Sequence, residues 1–144
     1  MLSAAAEAAA QSAVRPRLVA VTTLTSLNQD DLSDLGVQRT VAEQAAALTR
    51  LALDARLDGV VTSVLEASSL RKLYGPAPLL VTPGIRPAGG DVGDQKRVAT
   101  PTLAVSAGAS LLVIGRPIVE APDPAQAARD LQAEIDRAWL ARRA

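Results

Sequence analysis

At 144 residues, 49% of them apolar, the chain is long enough for one domain with a real core, and its composition argues against disorder. Its 15 basic residues balance 15 acidic ones, which argues against a bulk electrostatic partner such as nucleic acid or an acidic membrane but leaves room for a local anion site. Cys and His are both absent, so disulfides, thiolate metal sites and imidazole catalysis are excluded, and no metal or cofactor is expected.

The Ala-rich start, Met1 to Ala13, carries Glu7 near its middle and no basic residue before Arg15, so it reads as a helix rather than a targeting segment. No apolar run reaches the ~18 residues of a membrane span, and a cytoplasmic protein is the default expectation. Four nearly continuous apolar, β-branched runs follow: Leu18–Leu24, Gly59–Thr62, Leu79–Thr82 and Leu111–Ile114. Continuity rather than alternation marks parallel strands buried on both faces. Phe is absent, and Tyr74 and Trp139 are the only aromatics, so burial must come from Leu, Val, Ile and Ala.

Helical segments separate the strands. Val41–Arg56 places Val41, Ala45, Leu48, Ala52 and Ala55 at helical spacing, with Thr40 and Glu43 as a capping box. Asp30, Asp31 and Asp34 are read as solvated residues of a polar connection before it. Glu66–Leu73 and Thr102–Ala107 are shorter helices, the second opened by Thr100 and Pro101 and ended by Gly108. Asp123 and Pro124 open a last helix from about Ala125 to Ala141. A helix followed by four strand–helix units is an α/β chain with right-handed crossovers, taken here as a single domain over 1–144. It closes either as a doubly wound sheet or as a barrel. No GxGxxG follows a first strand, so a dinucleotide fold has little support. Four parallel strands alone leave two edges and an apolar face exposed, whereas a barrel needs eight. Something is missing.

Three stretches carry candidate chemistry. Thr82–Arg97, TPGIRPAGGDVGDQKR, follows a strand and gathers Gly84, Gly89, Gly90 and Gly93 with Arg86, Gln95, Lys96 and Arg97. Glycines let a backbone approach an anion closely, and Arg86 and Gln95 offer a cation and a neutral donor; an ordinary flexible surface loop is the competing reading. Ile114–Ile118, IGRPI, places Gly115 and a bidentate donor, Arg116, after the last strand; Gly-Arg-Pro is also a common turn. If these two strands end a barrel, their loops lie where barrels commonly hold phosphate. Thr22–Ser26 puts the hydroxyls of Thr25 and Ser26 at the first strand's end, where filling the strand and helping the turn is the simpler reading. Thr62 and Ser63 receive no role. Acid–base groups are scarce: Asp91 and Asp94 lie in the glycine loop, and Asp58 precedes the second strand, at the wrong end for a barrel site. No strand carries a Lys.

The stretches VTTLTSL at 21–27, DLGV at 34–37, LDGVVTS at 57–63, LVTPGIRPAGGDVGDQKRVATP at 80–101 and GASLLVIGRPIVEAPDPAQAA at 108–128 resemble bacterial orotidine 5′-phosphate decarboxylases in order and spacing. The resemblance implies the C-terminal half of a (β/α)8 TIM barrel, strands 5 to 8 with their helices. It implies a cofactor-independent decarboxylation of orotidine 5′-phosphate to uridine 5′-phosphate in pyrimidine biosynthesis. Thr25 and Ser26 would lie near the pyrimidine and its ribose, Arg86 and Gln95 in a loop closing over the phosphate, and Gly115 and Arg116 on the phosphate itself. The family's first four strands bear a substrate-binding Asp, a Lys and an Asp-x-Lys-x-x-Asp motif, and its members are homodimers with one carboxylate crossing between subunits. None of those residues is found here, so no turnover is expected from the chain alone. MLSAAAEAA resembles the helix after the family's fourth strand, and a truncated reading frame or a fragment is the simplest account. Two hypotheses follow: the nucleotide-binding half of a decarboxylase, or a non-catalytic phosphate-binding half-barrel that self-associates or pairs with an amino-terminal half. A sugar-phosphate decarboxylase is a distant third, disfavoured by GIRP and GDQKR.

Overall fold

The computed structural model describes residues 1–87 and 98–143. In chain order the elements are α1 (Leu2–Ala10), β1 (Val19–Val21), α2 (Gln29–Asp34), α3 (Val41–Asp54), β2 (Gly59–Val61), α4 (Val64–Tyr74), β3 (Leu79–Thr82), α5 (Pro101–Ala107), β4 (Leu111–Leu112), α6 (Arg116–Val119) and α7 (Pro124–Arg143). The four strands are parallel and lie in the order β1-β2-β3-β4. A doubly wound sheet would reverse its strand order at a switch point. This one runs on in one direction, as a barrel does.

All four strand runs are where the sequence places them, though only β3 keeps its full length. Elsewhere the ladder continues as single bonds: Thr22 N donates to Val61 O (3.0 Å), Thr62 N to Val81 O (2.9 Å) and Val113 N to Thr82 O (2.9 Å). The caps hold too. Thr40 accepts from Glu43 N at 3.2 Å while Glu43 accepts from Thr40 N at 2.8 Å. Thr100 accepts from Leu103 N, and Gly108 ends α5 at φ 95°, a conformation glycine adopts without steric cost. Asp123 accepts from Gln126 N at 2.9 Å. α3 stops at Asp54, short of Arg56, because Arg56 turns left-handed (φ 64°). α4 starts at Val64, earlier than expected, because Ser63 caps it by accepting from Leu65 N.

Two short helices correct the sequence reading. Residues 29–34 are not a loose polar connection: Asn28 accepts from Asp31 N (3.0 Å) and Asp31 accepts from Asn28 N (2.7 Å), and this box opens α2. Asp30 and Asp34 are solvated as expected, but Asp31 is half-buried. The second is α6, which begins at Arg116 where a turn was read.

One face of the sheet meets the helices. Ala52, Leu57, Val60, Ala67, Leu70 and Leu80 form one cluster, and Val64, Ile85, Ala104 and Ala109 a second. Both are built from aliphatic residues, as the composition requires. Gly59 pairs with Leu79 of β3, and a Cβ there would collide with the Leu79 backbone. Side chains alternate along a strand. Ala20, Val60, Leu80 and Leu112 therefore pack inward on the helices, while Val19, Val21, Leu111 and Val113 face the other way. That second face is open: Val21 and Leu111 are each 55% exposed.

The end of the sheet where the strands begin is tied by charged staples. Asp58 accepts from Leu18 N at 2.7 Å and pairs with Arg15 at 3.0 Å. The Leu18 amide foremost, helped by Arg15, holds its carboxyl below the usual range against the effect of burial. Arg71 reaches from α4 to the carbonyls of Gly75, Pro78 and Gly108 and to the Ser110 hydroxyl. Asp58 is therefore structural, in keeping with its place at the wrong end for chemistry.

Candidate phosphate and nucleotide site

The strands' C-terminal ends bring the three candidate stretches to one end of the sheet. After β1 the chain turns inward at Thr22–Thr25. Thr22 Oγ1 donates to Val61 O at 2.9 Å, and Thr23 and Thr25 are buried. Thr25 lines a small cavity of about 50 Å³ with Val21, Thr23, Leu24, Val61, Thr62 and Pro83. Pro83 opens the loop after β3, so the first and second stretches line the same cavity. Ser26, half-buried, is not part of that lining.

The loop after β3 is held in shape before it reaches Arg86. Gly84 adopts φ 75°, Ala99 N donates to Gly84 O (3.2 Å) and Arg86 N donates to Ala99 O (3.0 Å). Ile85 is fully buried, and Arg86 is only 9% exposed, with Nη1 donating to Ile85 O at 2.8 Å. The guanidinium is thus buried, with the Ile85 carbonyl as one of its partners. Gln95 lies outside the described residues, as do Gly89, Gly90, Asp91, Gly93, Asp94, Lys96 and Arg97.

Gly115 and Arg116 follow the adjacent strand, β4, which pairs with β3 through Thr82 and Leu112. Gly115 caps α6, its carbonyl accepting from Ile118 N (2.8 Å) and Val119 N (3.1 Å). A Cβ at Gly115 would meet nothing within 4 Å, so the backbone there faces open space. The residues after the two arginines, Pro87 and Pro117, line one cleft of about 390 Å³ with Leu131, Glu134 and Arg137 of α7. The Arg86 and Arg116 loops are therefore neighbours.

Sequence reasoning missed Glu66. It is 6% exposed and accepts from the Ser63 hydroxyl just past the end of β2. The Ser63-x-x-Glu66 spacing of a capping box was its signal. Among the described residues no group of three or more Asp or Glu could hold a metal, and no helix is long and apolar enough to cross a membrane. A larger cleft, about 420 Å³ between α1 and the end of α3, lies at the opposite end of the sheet, where Arg15 is committed to Asp58.

Four consecutive parallel strands in chain order, with glycine- and arginine-bearing loops after the last two, define half of a (β/α)8 barrel. The profile of the orotidine 5′-phosphate decarboxylase / HUMPS family matches residues 1–131. The orotidine 5′-phosphate decarboxylase of Moorella thermoacetica is 52% identical over 142 residues, covering 94% of this chain and 56% of its own length. That of Salmonella typhimurium is 49% identical over 138 residues, covering 95% and 56%. Among solved structures, the orotidine 5′-phosphate decarboxylase of Lactobacillus acidophilus superposes with a TM-score of 0.79 at 35% identity, over 94% of this chain and 58% of that one. The chain belongs to the orotidine 5′-phosphate decarboxylase family, and it spans about half the length of the relatives it matches.

Proposed function

We propose that this chain is the nucleotide- and phosphate-binding half of an orotidine 5′-phosphate decarboxylase, and that by itself it binds without turnover. The observation that carries the reading is the adjacency of the Arg86 and Arg116 loops on paired strands, with the open backbone of Gly115 between them in the chain. A phosphate oxygen pair fits a guanidinium bidentately, so Arg116 supplies charge and orientation, and the Gly115 amide adds a donor that no side chain obstructs. Arg86, already buried, adds a second cation with little further ordering cost. The family resemblance adds Gln95, which lies outside the described residues, to this set. Thr25 and Ser26 meet the base and ribose at the end of β1. The reaction is the conversion of orotidine 5′-phosphate to uridine 5′-phosphate and CO2 without a cofactor. It requires the Lys and Asp residues of the family's amino-terminal strands, and no Asp-x-Lys-x-x-Asp run occurs in these 144 residues.

The test is a decarboxylation assay on the purified chain, alone and mixed with a family amino-terminal half. Uridine 5′-phosphate binding is followed by titration calorimetry in the same samples. Binding by the chain and turnover in the mixture alone is the expected pair of results; turnover by the chain alone would refute the reading.

A second reading is a non-catalytic half-barrel that assembles with itself or with an amino-terminal half. The open apolar sheet face, with Val21 and Leu111 at its two edges, favours it.

A further inference from the structure

We infer that Glu66 is a positioning residue for the phosphate end of the site: by holding the Ser63 hydroxyl it sets the first turn of α4, and through Val64 that turn seats Arg86. The inference rests on the phosphate-binding reading above and adds to it a residue that acts through another.

The chain contains its own control for what a helix cap requires. Thr40 and Glu43 open α3 with a hydroxyl-to-carboxylate link, Thr40 Oγ1 donating to Glu43 Oε2 at 2.8 Å, and there the carboxylate stays exposed. Capping alone therefore does not call for burial, which is costly for a carboxylate. At α4 both partners are buried, Ser63 at 1% exposure and Glu66 at 6%. The Ser63 hydroxyl donates to Glu66 Oε2, and its oxygen accepts from Leu65 N at 3.2 Å. Both bonds of one hydroxyl are thus committed to the first turn, and together they fix where Val64 lies.

Val64 leads to the arginine. It joins Ile85, Ala104 and Ala109 in one buried cluster, against which Ala99 also packs. Arg86 hangs from two members of this group: its Nη1 donates to Ile85 O at 2.8 Å, and its backbone N donates to Ala99 O at 3.0 Å. The α4 contribution to the seat of Arg86 is Val64, one residue from the hydroxyl that Glu66 holds. The other neighbour of Ser63 is fixed independently. Thr62, which lines the Thr25 cavity, donates its N–H to Val81 O at 2.9 Å in the strand ladder. Loosening Ser63 therefore shifts the Arg86 side and leaves the Thr25 side in place. A bidentate guanidinium–phosphate pair is geometrically demanding, so a small displacement of Arg86 is felt in affinity. The path runs between two adjacent strands and their helices, and it is the same whatever completes the sheet.

The experiment is titration calorimetry of uridine 5′-phosphate into the full chain and its variants, with far-ultraviolet circular dichroism showing that each is folded. Glu66→Ala should weaken binding about tenfold, the scale of one hydrogen bond to a charged group. Glu66→Gln, whose amide oxygen still accepts from Ser63, should stay within about threefold of the parent. Glu43→Ala, which removes the exposed counterpart on α3, should bind like the parent. A double-mutant cycle with Arg86→Ala separates positioning from general stability: once Arg86 is gone, Glu66→Ala should weaken binding no further. If Glu66→Ala does not fold, Ser63→Gly takes its place, since glycine is tolerated at an N-cap and still removes the hydroxyl. Parent-like binding by Glu66→Ala, equal losses with and without Arg86, or a Glu66→Gln variant no better than Glu66→Ala would each overturn the inference while the phosphate site stands. A parent chain that binds no uridine 5′-phosphate would overturn the site itself, and the role of Glu66 with it.

Discussion

Replacing Arg71 with Met keeps the aliphatic stem and removes the guanidinium, and it isolates what that group contributes. Arg71 Nε and Nη2 donate to Gly108 O at 3.1 and 2.7 Å, Nη1 to Gly75 O at 3.0 Å and Pro78 O at 2.9 Å, and Nη2 to Ser110 Oγ at 3.0 Å. Ser110 Oγ in turn accepts from Leu80 N at 3.1 Å. One side chain thus joins the end of α4, the approach to β3 and the α5–β4 connection. A hydrogen bond to a charged group contributes about 1.5–3 kcal/mol, and five bonds from one group are far from additive. Water reaches part of this site, and burial already lowers the guanidinium's pKa, with Arg142 adding to the effect, so removal also relieves some desolvation. The net expectation is a loss of about 3 kcal/mol. That corresponds to a melting temperature lower by about 10 °C for a domain of this size. Urea unfolding followed by circular dichroism measures it, with the midpoint shifted and the slope unchanged. Arg71→Lys should recover less than half, because one ammonium cannot span acceptors on three segments. A loss below about 0.5 kcal/mol for Arg71→Met, or full recovery by Lys, would refute the staple.

Gly59→Ala forces a methyl group into the Leu79 backbone and should cost more than about 3 kcal/mol, read as insolubility or a collapsed urea midpoint. Asp58→Asn weakens the bond to Leu18 N and the pair with Arg15, and a loss of about 1–2 kcal/mol is expected at pH 7. Its folded pKa is depressed, so its contribution is complete above the unfolded value of about 3.9 and fades as pH falls through the folded one. Thermal melts of parent and variant should therefore converge below about pH 4; a constant gap down to pH 2 would show that ionisation is not its origin. Gly115→Ala meets no neighbour, so melting should stay within about 2 °C while uridine 5′-phosphate binding weakens. Arg116→Ala should weaken that binding about 30- to 100-fold by calorimetry, as expected for a lost charge-assisted pair, and equal affinity in parent and variant would remove Arg116 from the site.

Local chemistry was readable in the chain. The strand runs, the Thr40–Glu43 box, the Thr100–Pro101 start and Gly108 stop of α5, and the Asp123 cap each depend on residues within about four positions of one another. The same logic extends to α2 and to Glu66, whose Asn28–Asp31 and Ser63–Glu66 spacings were present but unused. The sequence also marked the glycine- and arginine-bearing loops at the ends of the last two strands as candidates, without separating them from ordinary turns. Tertiary structure alone decided the rest. Arg71 finds Gly108 and Ser110 at separations of 37 and 39 residues, and Asp58 finds Leu18 at 40, distances that no local spacing encodes. The unbroken order β1-β2-β3-β4, which selects a barrel over a doubly wound sheet, and the exposure of Val21 and Leu111 belong to the same class. A strand buried on both faces looks the same in sequence whichever neighbour covers it, so only the folded chain shows which face is still open.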